Sequence, residues 1–132
     1  LSKERGTVRG LHFQRPPKAE AKIVRCIRGS IWDVIVDIRA NSLSYGQWYG
    51  RELNEKNRTM MYVPKGFAHG FQTLDENVEL LYLHSEFYSA EHEGGLLYND
   101  KAIGINWPSS ISEISERDKV HPMLSELNPI RL

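Results

Sequence analysis

Several features that define common protein classes are missing from this chain of 132 residues. Its single cysteine, Cys26, cannot form an internal disulfide, and a cytoplasmic location fits that composition. No long apolar run is present, so no segment is expected to span a membrane. The 17 basic and 17 acidic side chains cancel, which argues against a surface that binds nucleic acid.

Short motifs of several enzyme classes are also missing. The sequence has no glycine-rich phosphate-binding loop, no Cys-x-x-Cys and no His-x-His or His-x-x-x-His pair. Zinc and non-haem iron sites need three or four converging ligands, often in such pairs. The chain is therefore a weak candidate for a metal site, and we expect it to hold no metal.

The chain does contain a series of short segments rich in β-branched residues. Residues 21–27 and 31–38 flank Arg28-Gly29-Ser30 and predict a β-hairpin. Many short strands at such spacing favour an antiparallel sandwich or barrel, and residues 109–118 predict a short helix. We expect one β-rich domain over residues 1–132 with a short C-terminal helical appendage. Further predicted strands are 9–14, 47–53, 59–63, 67–73 and 78–84.

Two histidines lie within predicted strands that also carry aromatic residues. Alternate side chains of a strand share a face, so His12 lies on the same face as Gln14, and two polar groups there suggest a wet pocket. Catalytic and structural roles are about equally favoured for His12. His69 lies between Phe67 and Phe71 in the same alternation, which is more typical of a hydrogen-bonded core histidine than of a ligand.

Two further polar residues lie on apolar strand faces. Lys22 shares its face with Val24 and Cys26; taken alone, this predicts a lysine whose ammonium reaches out to water. Tyr82 shares its face with Leu80, and a core tyrosine with a satisfied hydroxyl is the usual case.

The polar residues near the end of the chain have ordinary explanations on their own. Surface positions are expected for His84, His92 and His121. Asp118 is expected to be a solvated carboxylate at a helix end, and it becomes interesting only if the chain folds back to place it beside a histidine, where a carboxylate fixes the tautomer.

Taken together, the sequence resembles the dTDP-4-dehydrorhamnose 3,5-epimerase family of nucleotide-sugar epimerases. The resemblance covers nearly the whole chain, in the order of the family, and its combined motifs are specific. The matching segments are RGLHFQ at 9–14, AEAKIVRCIRGSIWDVIVDIRANSLSYGQW at 19–48, VPKGFAHGFQTL at 63–74, ELLYLHSEFYSAEHEGGLLYND at 79–100, INWP at 105–108 and ISERD at 114–118.

The resemblance implies a metal-free cupin jelly roll that works as a homodimer without a cofactor. It implies that His12 is the catalytic base with Asp118 as its carboxylate partner. It further implies that Tyr82 is the acid on the opposite face and that Lys22 is the cation near the enolate oxygen. The implied contacts to a dTDP-4-keto-6-deoxyhexose come from Arg9, Gln14, His69, Phe87, Tyr88 and Arg117.

The activity implied by the resemblance is inversion at C3, and also at C5, through an enolate. Three alternatives stay open: inversion at C3 only, a catalytically silent module that binds nucleotide sugars, and a metal-dependent cupin oxygenase or isomerase. The chain departs from the family pattern at Glu20, Tyr98 and Lys101, where glutamine, tryptophan and proline are usual. We also expect it to lack the N-terminal strands with which family members reach across their dimer.

Overall fold

The computed structural model describes residue 2 and residues 4–132, and the strands in that part of the chain form two antiparallel sheets. A five-stranded sheet has the order β4-β3-β6-β1-β8, and a three-stranded sheet has the order β5-β2-β7. The strands are β1 (Val8–Gln14), β2 (Lys22–Arg28), β3 (Ser30–Asp37), β4 (Trp48–Asn54), β5 (Met60–Val63), β6 (Phe67–Thr73), β7 (Glu79–His84) and β8 (Glu93–Gly95). The predicted all-β class is therefore confirmed.

The five-stranded sheet is covered on both faces, which explains why β3 reads as an almost continuous apolar run. Its Ile31 and Ile35 belong to the core cluster between the sheets, together with Val24 of β2. Val34 and Val36 point the other way, into a second cluster that includes residues of the C-terminal segment such as Ile130. The C-terminal segment thus forms the outer cover of this sheet.

The predicted hairpin between residues 21–27 and 31–38 is wrong. β2 pairs with β5 and β7, whereas β3 pairs with β4 and β6, so the two segments lie in different sheets. Gly29, with φ of +80°, makes the tight turn that carries the chain from one sheet to the other. Strand pairing was misjudged because a short glycine turn also suits a crossing between the layers of a sandwich.

The C-terminal region also differs from its prediction. Residues 109–117 form no helix, and the helical content near them is two single 3₁₀ turns, Asp118–Val120 and Leu124–Glu126. The helical appendage is therefore minor. The short strand β8, Glu93–Gly95, was not predicted because its two glycines carry no strand signal.

The paired strands β1 and β6 leave no room for a Cβ at two facing glycines. A Cβ on Gly10 would lie 2.7 Å from the Cα of Gly70, and one on Gly70 would lie 2.7 Å from the carbonyl oxygen of Arg9. The β1–β6 register shifts between Arg9 and His12. Arg9 and His12, which simple alternation would place on opposite faces, consequently line the same cavity.

The loop after β3 is closed by a buried carboxylate. Asp37 accepts two hydrogen bonds of 3.0 Å from the guanidinium of Arg39 and further bonds from the hydroxyls of Ser42 and Ser44. Burial raises the pKa of Asp37, but these hydrogen bonds outweigh it and hold that pKa well below its usual range.

Among the residues described, no helix is long and apolar enough to cross a bilayer.

Candidate active site

A cavity of about 190 Å³ opens between the two sheets. Five of the predicted site residues line it: Arg9, His12, Lys22, His69 and Tyr82. A neighbouring cavity of about 410 Å³ is lined by three others, Gln14, Phe87 and Tyr88. The side chain of His84 lines both cavities, so the two adjoin at that point.

Asp118 lies directly behind His12. Its Oδ1 is 2.7 Å from His12 Nε2, and its Oδ2 accepts a bond of 3.1 Å from the backbone N–H of Gly10. Burial raises the pKa of Asp118, but the hydrogen bonds from His12, Gly10 and His121 hold that pKa well below its usual range. An ionised Asp118 assigns the proton to His12 Nε2, which leaves Nδ1 as the nitrogen able to accept another.

His121 is a member of this group that the sequence did not indicate. The expected surface position is wrong, because its side chain is only 10% exposed and its Nε2 lies 2.8 Å from Asp118 Oδ1. The ring fits only because residue 95 is glycine: a Cβ there would lie 2.0 Å from His121 Nδ1. Its position over Gly95, which pairs with His12 across β1 and β8, could not be inferred from the sequence spacing.

His12, Asp118 and His121 also place three potential metal-ligand atoms within 4.8 Å of one another. Two imidazoles and a carboxylate suit several transition metals. The same atoms are satisfied by their own hydrogen bonds, with both N–H groups donating to one carboxylate oxygen. The geometry therefore supports a proton-holding network, and the sequence expectation of a metal-free site stays a prediction.

A second histidine–carboxylate pair lies deeper in the protein. His69 Nε2 is 2.6 Å from Asp33 Oδ1, and the two side chains are 4% and 0% exposed. Asp33 was missed, although it stands on the same face of β3 as Ile31 and Ile35, where an acid is out of place. Its second oxygen, Oδ2, is buried and has no hydrogen-bond partner among the described residues.

The side chain of Lys22 is buried rather than extended to the protein surface, so the expectation drawn from the residue alone is wrong. Lys22 is 9% exposed and shares its face with Val24 and Cys26, as the alternation predicts. Burial lowers its pKa, and the carboxylates of Glu20 and Asp33 act in the opposite direction. Its Nζ lies 3.7 Å from Glu20 Oε1.

Tyr82 stands on the wall opposite His12, because β7 belongs to the three-stranded sheet and β1 to the other. Its ring meets that of His69 edge-on at 6.2 Å and stacks on that of His84 at 5.7 Å. Burial, and then the charge of Asp33, raise the pKa of the phenol, so it holds its proton at neutral pH. His84 itself is 44% exposed, as expected of a surface residue, yet it binds Glu20 at the cavity wall.

The remaining predicted site residues lie around the larger cavity and its rim. Gln14 braces the loop beneath it, since its amide group donates to the carbonyls of Lys18 and Phe87 and accepts from the N–H of Ser89. Phe87 and Tyr88 are 86% and 69% exposed. Arg117 pairs with Glu93, which also accepts a hydrogen bond of 2.7 Å from the hydroxyl of Tyr88.

Fold and cavity together define a small β-sandwich with a site equipped for proton transfer. Comparison with known proteins identifies the family to which the chain belongs. The sequence model described as dTDP-4-dehydrorhamnose 3,5-epimerase matches residues 1–126, and the chain belongs to that family. The fold is accordingly the cupin-type jelly roll that the resemblance implied.

Individual relatives agree with this assignment. A curated dTDP-4-dehydrorhamnose 3,5-epimerase of Sinorhizobium fredii is 50% identical over 128 residues, which are 96% of this chain and 66% of that relative. The Bacillus anthracis enzyme of that name, solved with TDP and PPi bound, is 47% identical, with a TM-score of 0.87 over 92% of this chain and 70% of the other. The Legionella pneumophila dTDP-6-deoxy-D-glucose-3,5-epimerase, solved with dTDP-4-keto-L-rhamnose, is 33% identical, with a TM-score of 0.92 over 98% and 71%. The chain thus spans about two thirds of the length of the relatives it matches.

Proposed function

We propose that this chain is an epimerase that inverts C3, and also C5, of a dTDP-4-keto-6-deoxyhexose. One observation carries the proposal: His12, backed by Asp118, and Tyr82 line a single cavity from opposite sheets. Lys22 and His69 line the same cavity. The family membership and the dTDP-sugar bound to the Legionella relative support the choice of substrate.

The first step is removal of a proton next to the C4 ketone. His12 Nδ1 takes the proton, and the C–H electron pair moves into the ring to form an enolate. The imidazolium that results keeps its bond to Asp118, 2.7 Å from Nε2, and the ionised carboxylate stabilises it. A positioned base of this kind contributes roughly 10²–10⁴ in rate.

The enolate oxygen then needs positive charge or a hydrogen bond. Lys22 supplies a cation that is largely shielded from water, and electrostatic attraction is stronger in such surroundings. His69 lies on the same cavity, held by Asp33. Both groups are fixed by buried partners, so they need little rearrangement when the charge develops.

The last step returns a proton to the opposite face of the sugar. The Tyr82 phenol holds its proton at neutral pH because burial and the charge of Asp33 raise its pKa. It gives the proton to the enolate carbon and becomes a phenolate. His12 then releases its extra proton to solvent and Tyr82 takes one up from solvent, which restores both groups. The balance is one proton removed and one returned, with no net oxidation, so the reaction needs no redox cofactor.

We place the nucleotide in the neighbouring cavity of about 410 Å³. Phe87 and Tyr88 offer exposed rings that can stack on a base. Arg9 lines the sugar cavity and offers a charge to the diphosphate. Gln14 contributes by holding the loop that carries Phe87, and Arg117 contributes by fixing Tyr88 through Glu93.

We also propose that the chain pairs with a second copy through the outer face of β5-β2-β7. Neighbouring positions in the register form two rows, Tyr62–Ile23–Leu83 and Met60–Arg25–Leu81. Four of these, the tyrosine, the methionine and both leucines, are 48–61% exposed. An exposed face with four large apolar side chains around one arginine is typical of an interface, and one made of identical faces suits a two-fold dimer.

Proton NMR of dTDP-4-keto-6-deoxyglucose in D₂O tests the proposal. We expect enzyme-dependent deuterium at C3 and C5, and loss of that exchange in His12→Ala. His92→Ala is the matched control, because His92 bonds Ser89 outside the smaller cavity and should leave exchange intact. Exchange confined to C3 would assign the C3-only reaction, and binding of the nucleotide sugar without exchange would identify a silent module. Exchange that requires an added transition metal would favour the metal-dependent cupin alternative.

A further inference from the structure

Glu20 lies between two basic groups at the boundary of the two cavities. Its Oε1 is 3.7 Å from Lys22 Nζ, and its Oε2 is 3.1 Å from His84 Nδ1. The side chain is only 10% exposed. A carboxylate this well buried costs desolvation free energy unless charged partners compensate for it, and here each oxygen has its own partner.

Lys22 is also buried, so its positive charge likewise needs a partner of opposite sign. Its side chain is 9% exposed, and burial favours the neutral amine, which could not stabilise an enolate. Asp33 also acts on the charge of Lys22, but among the described residues it forms no direct ion pair with that lysine. Glu20 is therefore the carboxylate whose ion pair with Lys22 opposes the burial most directly.

We propose that Glu20 is the fixed counter-ion of Lys22 and holds its ammonium charged at the sugar cavity. Glu20 is then a positioning residue of the epimerisation site, and this inference rests on the proposed function. It assigns a role to a residue outside the set that the family resemblance implied. A glutamine could orient Lys22 by hydrogen bonding but could not supply the negative charge.

The position of Glu20 is fixed from both sides. His84 binds Oε2 and stacks on Tyr82, which leaves Oε1 directed to Lys22. The backbone next to Glu20 is anchored as well, because the N–H of Ala21 donates to the hydroxyl of Ser85 at 2.8 Å and its carbonyl accepts from the N–H of Ser85 at 2.9 Å. The carboxylate is therefore built into the cavity wall.

Other charged and titratable groups around Lys22 determine how the test must be read. Like Glu20, the acids Asp33 and Glu93 raise the pKa of Lys22, but neither forms a direct ion pair with it among the described residues. The basic and phenolic groups on the cavity walls do not supply negative charge at neutral pH. The groups facing Lys22 are Arg9 and His12 on β1, Asp33 on β3, His69 on β6, Tyr82 and His84 on β7, and Glu93 on β8.

The test is Glu20→Gln, followed by the pH dependence of C3 exchange. Glu20 favours the charged amine, so its loss lowers the pKa of Lys22 and shifts the charged-to-neutral transition to lower pH. The alkaline limb of kcat/KM should move to lower pH, with a loss of roughly tenfold or more at the alkaline end and little change near pH 6. Glu79→Gln removes the same charge from a residue that pairs with Arg28 at 3.5 Å, outside both cavities, and should leave the limb in place.

A direct titration separates this inference from the proposed function. In protein labelled with ¹³C at the lysine ε-carbon, the Lys22 signal should titrate at lower pH in Glu20→Gln than in the wild type and in Glu79→Gln. Superimposable Lys22 titrations would overturn the counter-ion role. A wild-type protein that exchanges no substrate proton at any pH would overturn the proposed function instead, whatever the titration of Lys22 shows.

Discussion

Replacing Asp118 with asparagine tests the histidine–carboxylate pair most sharply. The substitution keeps the size of the side chain but removes the charge that His12 needs when it becomes an imidazolium. Coulomb's law with an effective dielectric constant of about 20 gives about 6 kcal/mol for opposite unit charges at the observed 2.7 Å. His12 is 34% exposed, so solvent screening reduces this to about 3 kcal/mol.

A loss of about 3 kcal/mol in the transition state corresponds to a fall in kcat of roughly 100-fold. KM should change by less than about threefold, because Asp118 lies behind His12 and does not line the cavity. Initial rates of deuterium incorporation at C3, measured by NMR over a range of substrate concentrations, separate the two constants.

The matched control is Asp100→Asn. Asp100 is also a buried carboxylate, 7% exposed, and it accepts hydrogen bonds from the N–H groups of Ala102 and Leu124. The Asp100→Asn substitution should lower the stability of the protein without a specific effect on kcat. A kcat of Asp118→Asn within threefold of the wild type, in protein that is shown to be folded, would refute the role assigned to Asp118.

Four further outcomes are expected. Tyr82→Phe should retain C3 proton exchange while inversion falls at least tenfold, measured by the configuration of the recovered sugar; unchanged inversion would contradict the acid role. Gly95→Ala should displace the His121 ring and lower kcat roughly tenfold, and wild-type kinetics would show that this ring does not hold Asp118. Leu83→Glu should shift the proposed dimer toward monomer in light scattering, and a monomeric wild type would refute the proposed interface. Asp37→Asn should cost about 3 kcal/mol in free energy of unfolding at neutral pH and flatten its acid dependence, and parallel urea profiles from pH 7 to 3 would count against that network.

The sign of the Asp37 effect follows from its hydrogen bonds. The pKa of Asp37 lies lower in the folded protein than in the unfolded chain. Its contribution to stability is therefore present above the unfolded value, near 4, and is lost as the pH falls toward the folded value. Asparagine cannot ionise, so the variant should lose this part of the pH dependence along with the stability.

Local patterns predicted the parts of the site that depend on one strand. Alternation placed Lys22 with Val24 and Cys26, and His69 with Phe67 and Phe71, and the structure has the same faces. The resemblance to the epimerase family brought His12 and Asp118 together, although 106 residues separate them in the chain. These predictions succeeded because the side-chain period of a strand is a local property and the family motifs are specific.

The errors concern contacts that a strand pattern cannot show. The hairpin across Gly29 was wrong because turn chemistry does not decide which sheet the next strand joins. His121 was expected at the surface because its burial depends on a glycine 26 positions earlier. Asp33 was overlooked, although an acid on the apolar face of β3 was a usable signal for a buried partner.

The central claim is that His12 and Tyr82 act on opposite faces of one sugar ring. Stereochemical analysis of C3 after reaction in D₂O, with wild type, His12→Ala and Tyr82→Phe side by side, tests it most directly. The account predicts inverted and deuterated C3 with the wild type, no deuterium with His12→Ala, and deuterium with largely retained configuration with Tyr82→Phe. Deuterium at wild-type rates in His12→Ala, or full inversion in Tyr82→Phe, would contradict it.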